Sequence, residues 1–527
     1  MFKILVTDPI PEDGLQALTE AEDVQVDHQT DLSEDELVEQ ISEYDALIVR
    51  SQTKVTDKVL DNARRLKVIG RAGVGVDNID VPQATAKGII VINAPDGNTI
   101  STAEHTFSML CALARRIPQA FMTLKENKWD RKAFVGVELN GKTLGIIGLG
   151  RIGTEVAKRA KAFNMKVIAY DPYLTEEKAD KLGIEYGALE DVLKKSDFIT
   201  IHTPLLKETR HMIGREQFAM MKNGVRILNC ARGGLIDEDA LYEAIVQQKV
   251  AGAALDVFEE EPAIDNRLLE LPEVIATPHL GASTVEAQEN VAIDVSQEIL
   301  KVLRGQAFKN AVNLPSIPAH ELNKVEPYLN LSEQLGSFIA QLAVGAVRTV
   351  NISFAGELTE FDVSPLTRNI IKGILTYHLG EHVNQVNAPF LAKERGITIN
   401  EQKTSHSRGF TNLLTVELIT TQETRTVWGT LLNGYGARIV KVDDYSVDVL
   451  PEGHLIYIRH HDRPGAIGRV GTRLGAKDVN IATMQVGRSN AGGDAIMMLT
   501  VDKSVPADIL NELTELEEIK TVTEIDL

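Results

Sequence analysis

Arg232 in "NCARGG", Glu261 in "ALDVFEEEP" and His279 in "TPHLGAS" are polar residues that each follow a short apolar run. Their chemistries complement one another. An imidazole titrates near neutrality and can take the proton of a hydroxyl; a carboxylate beside it orients the ring and favours its protonated form. A guanidinium holds a substrate carboxylate through a rigid fork of donors. The set suits oxidation of a hydroxy acid at its alcohol carbon. Taken singly, each has a plainer reading: a His after Thr-Pro caps a helix, Glu261 is one of three consecutive acids, and an exposed Arg forms a surface ion pair. What joins them is position, because ligands of open α/β sheets bind outside the carboxyl ends of the strands.

The elements that must position them start at "GKTLGIIGLGRIGTEVAKRAKAFNMKVIAYDP", residues 141–172. An apolar run ends in Gly148, Gly150 and Gly153, the spacing G-x-G-x-x-G. The first glycine allows the turn, the second lets backbone approach a pyrophosphate, and the third lets the following helix pack on its strand. The free amides at that helix start face the phosphates. A second strand then ends in Asp171, at the separation expected for a ribose-binding acid. Its carboxylate would repel the additional phosphate of NADP, and no Arg or Lys occurs between it and Lys178, so the cofactor read from these residues is NAD.

The chain has 527 residues, enough for three or four domains, with 43% apolar and 25% charged residues. Two cysteines, Cys111 and Cys230, form no C-x-x-C, so neither a disulfide framework nor a metal site is expected. A net charge of −20 argues against a nucleic-acid or anionic-membrane binder. With no leader-like start and no apolar span of membrane length, the expected location is cytoplasmic.

Short apolar runs at 2–6, 46–50, 66–69 and 89–92 alternate with helical patterns, a parallel α/β signature. Between 143 and 277 six further strands are expected, the count of a full dinucleotide fold. An amphipathic helix over 284–303 follows, and "NLPSIPAH" at 313–320 marks a boundary. Beyond it, helices are expected over 329–347 and 366–379. The last 75 residues read strand, helix, two strands, helix, strand, the split ferredoxin-like order.

"VRSQTKV", "IGRAGVGVDNID", "NAPDGNTISTAEHT", "GLGRIG", "NCARGGLIDEDAL", "ALDVFEEEP" and "TPHLGAST" make the chain resemble the D-isomer-specific 2-hydroxyacid dehydrogenases, in their long form with a C-terminal ACT domain. The resemblance implies an α/β chain in four parts. A Rossmann NAD domain (99–283) is inserted in a discontinuous flavodoxin-like substrate domain (1–98 and 284–312). An α+β intervening domain (317–452) and a ferredoxin-like ACT regulatory domain (453–527) follow. It makes Arg232, Glu261 and His279 the catalytic trio. It puts Arg151 and Ile152 at the pyrophosphate, and Thr203, Cys230, Asp256 and Ala282 around the nicotinamide half. Arg50, Ser51, Arg71, Gly73, Gly75 and Asn98 fall on the substrate side.

The substrate so implied is 3-phospho-D-glycerate, oxidised to 3-phosphohydroxypyruvate as the first step of L-serine biosynthesis. The alternatives are a hydroxypyruvate, glyoxylate or D-lactate reductase, and an NAD-sensing corepressor-like protein. Short relatives lack the ACT module, which weighs against the first, and an amino-acid sensor suits a biosynthetic branch point better than a repressor. His460, Asp462 and Asn480 match positions that bind L-serine in relatives. "NKWDRKAF" implies a subunit interface in a homodimer or homotetramer, with Trp129 and Arg131 facing a neighbour. Lys403, His406 and Arg408 suggest a second anion site.

Overall fold

Four β-sheets follow one another along the chain in the computed structural model, which describes residues 1–315, 319–490 and 492–527. The first is wholly parallel, in the order Val24–His28, Phe2–Val6, Ala46–Val49, Val68–Arg71, Ile90–Asn93. Strands such as "ALIV", buried at every position, are what a parallel sheet covered on both faces requires. One covering element comes from far along the sequence. The helix Val285–Leu303, capped at its start by Thr284, puts Val291, Val295 and Ile299 into the same core as Ile4, Ile48 and Val68. The chain then bonds Val312 N–H to the Val91 carbonyl.

The second sheet is also parallel, in the order Val274–Ala276, Val250–Leu255, Val225–Asn229, Phe198–Ile201, Thr143–Ile147, Lys166–Tyr170, Glu185–Tyr186. It has one strand more than expected. Glu185–Tyr186 is two exposed residues on the edge, too short and too polar to leave a periodic signal. The order of connection reverses beside Thr143–Ile147, the kind of switch point at whose carboxyl ends open α/β sheets bind ligands. The helix Thr99–Arg115 carries the chain from the first sheet to the second and packs Ala103, Phe107 and Leu110 into the second sheet's core.

The third sheet is mixed, in the order Thr398–Thr404, Val347–Gly356, Asn412–Thr420, Thr424–Leu432, Gly436–Val442, Tyr445–Val449. The helices Ala319–Leu342 and Ser364–Leu379 cover one face. The expected helix over 329–347 is displaced. It begins before Pro327, which sits inside it, and Gly345 at φ +98° ends the connection so that Val347 opens a strand. A proline is a natural start signal in sequence, whereas here tertiary burial of Val325 and Tyr328 carries the helix through it. Residues 316–318 of the expected boundary lie outside the described residues.

The fourth sheet is antiparallel, in the order Ile481–Arg488, Asp494–Val501, His454–His461, Ile519–Asp526, with the helices Ala466–Gly475 and Ala507–Thr514 on one face. Alternate residues of its central strand serve two cores. Ile456 and Ile458 pack under those helices, whereas Leu455 and Tyr457 pack with Leu335 and Val427 of the preceding unit. Among the described residues no helix is long and apolar enough to cross a membrane.

Candidate active site

His279 stands just beyond the strand Val274–Ala276, at the crevice edge. Its φ of +55° lies in the left-handed region, a strained conformation for a non-glycine residue, held because its own N–H donates to the Asp256 carbonyl at 2.9 Å. Nδ1 lies 2.8 Å from Glu261 Oε2. With Nδ1–H donating to the carboxylate, the Nε2 lone pair is the one left to accept a proton. The Glu261 hydrogen bond is the main cause of a His279 pKa above the ordinary value; burial and Arg232 pull it down, and the charges of Glu261 and Asp256 push it up. Burial alone would raise the Glu261 pKa, but the His279 hydrogen bond and charge and the Phe258 N–H outweigh it and hold the carboxyl low.

Arg232 follows the strand Val225–Asn229 in a turn made by Asn229, whose side chain accepts from Ala231 N–H and donates to the Arg232 carbonyl. The guanidinium spends Nε on Asp77 at 3.2 Å and Nη1 on the Ala231 carbonyl at 2.7 Å. Its Nη2 comes so close to Gly75 that a Cβ there would meet it at 2.0 Å. Gly75 therefore leaves the space in which Arg232 sits.

Arg50, Ser51, Arg71, Gly73, Glu261, His279 and Ala282 line one cleft of about 1040 Å³ between the first two sheets. Burial above all, joined by the neighbouring charges of Arg232 and Arg50 and opposed by Asp77 and Asp8, depresses the Arg71 pKa to about 10. Arg71 Nε is buried with no protein partner. A site that crowds like charges in this way is built for an anion. The loop bearing Arg50 is set by Asp8, 1% exposed, which accepts from the amides of Arg50 at 2.5 Å, Gln52 at 3.2 Å and Thr53 at 3.1 Å. Sequence reasoning passed over Asp8 and Asp77; the available signal for Asp8 was an acid two residues beyond the first strand's carboxyl end.

The glycine turn matches a dinucleotide. Gly148 has φ +94° and would drive a Cβ to 2.6 Å from the His202 carbonyl, and Gly153 would drive one to 2.2 Å from the Gly148 carbonyl. Above Gly150 there is open space, as a pyrophosphate needs, at the start of the helix Arg151–Ala162. Asp171 accepts from Leu149 N–H and Tyr173 N–H, both at 2.8 Å, so it shapes the turn. Arg151 pairs with Asp96 at 2.5 Å, beside Asn98, whose Oδ1 is buried without a partner. Ile152 packs against the second sheet's core.

Three residues expected around the nicotinamide have other immediate tasks. Thr203 Oγ1 faces the Met212 sulfur at 3.6 Å. Cys230 is buried, and burial first and the Asp256 charge second push its thiol pKa up to about 12, which disfavours the thiolate. Asp256 is 1% exposed and accepts from Thr277 Oγ1, Leu280 N–H and Gly281 N–H.

Of the expected effector residues, His460 is 1% exposed, with Nε2 unpartnered. Asp462 and Asn480 do not meet within the chain. Asp462 follows His461, which pairs with Asp494; Asn480 precedes Ile481, which pairs with Val501 at the other end of the same strand. Seven residue steps separate those ends by about 23 Å. The basic residues of "QKTSHSRGF" are also dispersed: Lys403 Nζ donates to the carbonyls of Thr359 and Phe361, while Arg408 stacks 4.3 Å over Trp428.

Comparison with known proteins gives this geometry its family. Residues 107–281 match the D-isomer specific 2-hydroxyacid dehydrogenase, NAD binding domain; 324–443 the D-3-phosphoglycerate dehydrogenase intervening domain; and 454–518 the ACT domain. The D-3-phosphoglycerate dehydrogenase of Bacillus subtilis is 49% identical over 527 residues, and that of Methanocaldococcus jannaschii 50% over 528, each match covering 100% of both chains. The chain belongs to the D-3-phosphoglycerate dehydrogenase family. Its class is thus an NAD-dependent 2-hydroxyacid dehydrogenase. Among solved structures, a D-lactate dehydrogenase from Aquifex aeolicus complexed with NAD and lactic acid is 33% identical, with a TM-score of 0.53 over 60% of this chain and 100% of that one. That match is to a shorter chain, and membership of the D-3-phosphoglycerate dehydrogenase family rests on relatives matched along the whole length.

With NAD as cofactor, one exchange tests the nucleotide side. Asp171→Ala is expected to narrow the preference for NAD over NADP by about tenfold or more, through loss of a charge-assisted ribose contact and of the repulsion against the extra phosphate. It also releases the Leu149 amide, so kcat/KM with NAD itself falls. An unchanged NAD to NADP ratio of kcat/KM would remove Asp171 from cofactor selection.

Proposed function

We propose that the chain oxidises 3-phospho-D-glycerate at C2, with His279, Glu261 and Arg232 as its catalytic residues. The observation that carries this reading is the cleft that sets the His279–Glu261 pair beside Arg50 and Arg71, with Arg232 close enough for its charge to act on both Arg71 and His279. A monocarboxylate such as lactate needs one guanidinium fork; a substrate with a carboxylate at one end and a phosphate at the other accounts for three.

Arg232 grips the carboxylate next to the reacting carbon, using the fork edge that Asp77 and Ala231 leave open. His279 Nε2 accepts the C2 hydroxyl proton. Glu261 keeps the ring in that orientation and stabilises the imidazolium as it forms. Bound NAD supplies the hydride acceptor. Arg50 and Arg71 remain for the phosphate.

The raised His279 pKa has a signed consequence. Oxidation requires neutral imidazole, so kcat/KM rises with pH through a pKa above the ordinary histidine value, and reduction of the keto acid falls through it. Glu261→Gln removes the largest raising cause, so the acid limb of the oxidation profile moves to lower pH while the plateau rate drops by about 10- to 100-fold. A profile that did not move would detach Glu261 from His279.

The ACT domain supports an amino-acid effector, and L-serine is the ligand proposed for it. Since Asp462 and Asn480 lie at opposite ends of the sheet, an effector touching both takes them from two copies of the chain. Apolar side chains of the helix Ile117–Lys125 and the loop after it, including Phe121, Met122 and the 80% exposed Trp129, form a patch suited to a homo-oligomer. Sedimentation at micromolar concentration tests this, and a monomer overturns it.

The deciding assay follows NADH formation from 3-phospho-D-glycerate with the keto product trapped, with and without L-serine, and with D-lactate in parallel. Turnover confined to the phosphorylated acid and lowered by serine is the expected result. Equal turnover of D-lactate would reject the substrate, and indifference to serine would reject the effector.

A further inference from the structure

The loop 277–281 that carries His279 is held from two sides. From below, the end of the strand Val250–Leu255 supplies Asp256, whose carboxylate takes the amides of Leu280 at 2.7 Å and Gly281 at 2.8 Å and the hydroxyl of Thr277 at 2.6 Å. From the side, the first turns of the helix Thr99–Arg115 supply three donors. Ser101 Oγ donates to the Gly281 carbonyl at 2.8 Å, and Thr102 Oγ1 donates to the same carbonyl at 3.2 Å. His105 Nε2 lies 3.1 Å from Thr277 Oγ1 and 3.2 Å from Asp256 Oδ1. The Thr277 hydroxyl already gives its proton to Asp256, so its oxygen accepts, and His105 Nε2–H is the donor to both.

Positions 101, 102 and 105 share one helix face, and Ser101 and Thr102 are buried. The bonds they make do not serve the helix itself. They serve a loop about 180 residues away in sequence. A residue at positive φ persists only where its surroundings over-determine it, and His279 is such a residue. Two anchors, one at each end of the loop, remove the freedom that its backbone strain would otherwise take up.

We infer that Ser101, Thr102 and His105 are positioning residues for proton transfer: this helix face braces the loop 277–281 so that His279 Nε2 is presented to the substrate hydroxyl. The inference rests on the role of His279 under the proposed function. Because the helix begins where the chain crosses from the first sheet to the second, the brace also ties the proton acceptor to the crossing between the two walls of the cleft. A shift of the acceptor by one ångström is enough to cost about 100-fold in rate.

The test compares His105→Leu, which removes the donor, with His105→Asn, which retains one, and with the double variant Ser101→Ala/Thr102→Val. The double variant carries the test if His105→Leu fails to fold. Each is assayed for kcat and for KM of NAD across pH, and amide exchange is followed at Leu280 and Gly281. The expected result is kcat lowered about 10- to 100-fold with KM for NAD little changed, faster exchange at both amides, and recovery of most of kcat in His105→Asn. Unchanged kcat in every folded variant would overturn the brace, as would a loss expressed in the KM for NAD alone. If the unmodified chain turns over no 3-phospho-D-glycerate, the substrate reading fails. Exchange at Leu280 and Gly281 then still decides the brace, and unchanged exchange overturns it.

Discussion

His279→Asn will lower kcat for NADH formation by about 10²- to 10⁴-fold, the usual worth of a positioned general base, while NAD binding stays near that of the unmodified chain. Asparagine is the informative replacement. It tolerates the left-handed backbone that His279 occupies, so the loop need not rearrange, and its amide can still donate to Glu261. What it lacks is a group that accepts a proton near neutral pH. The acid limb that belongs to His279 should vanish with it, leaving a residual rate that rises with hydroxide. A variant retaining most of its kcat, or retaining the acid limb, would take the proton away from His279 and turn attention to another group in the cleft.

Arg232→Lys will cost kcat/KM about 10²- to 10³-fold, on the order of 3–4 kcal/mol, although it conserves charge. The guanidinium meets three demands at once: Asp77 on Nε, the Ala231 carbonyl on Nη1, and the open edge beside Gly75. An ammonium is a single point and cannot span them. Because the carboxylate contact orients the alcohol carbon, the loss should fall on kcat as well as KM. A loss confined to KM would mean that Arg232 binds substrate and transition state alike. Arg232→Lys with kcat/KM within a few-fold of the parent would mean that Arg50 or Arg71 holds the carboxylate instead.

The legible parts of the site were those whose chemistry is local in sequence. The glycine turn, its helix and Asp171 fall within 24 residues, and the close approaches at Gly148 and Gly153 are the ones the spacing implies. The tails of the strands likewise announced Arg232, Glu261 and His279. The edge strand Glu185–Tyr186 and the helix running through Pro327 escaped because neither leaves the pattern that its class requires.

Taken alone, the sequence determined the parallel α/β character, the nucleotide turn, the placing of Arg232, Glu261 and His279 after strand ends and the ferredoxin-like order of the last unit. Each follows from apolar period, turn chemistry or residue type over a short span. Tertiary structure decided how the groups combine. It showed Asp8 holding the Arg50 loop across 42 residues and Asp77 holding Arg232 across 155. It separated Asp462 from Asn480 and spent Asp256 on the His279 loop rather than leaving it open to the cleft. The reason is physical. A hydrogen bond or an ion pair depends on distance in space, and no local pattern of residues encodes which buried carboxylate will meet which distant amide.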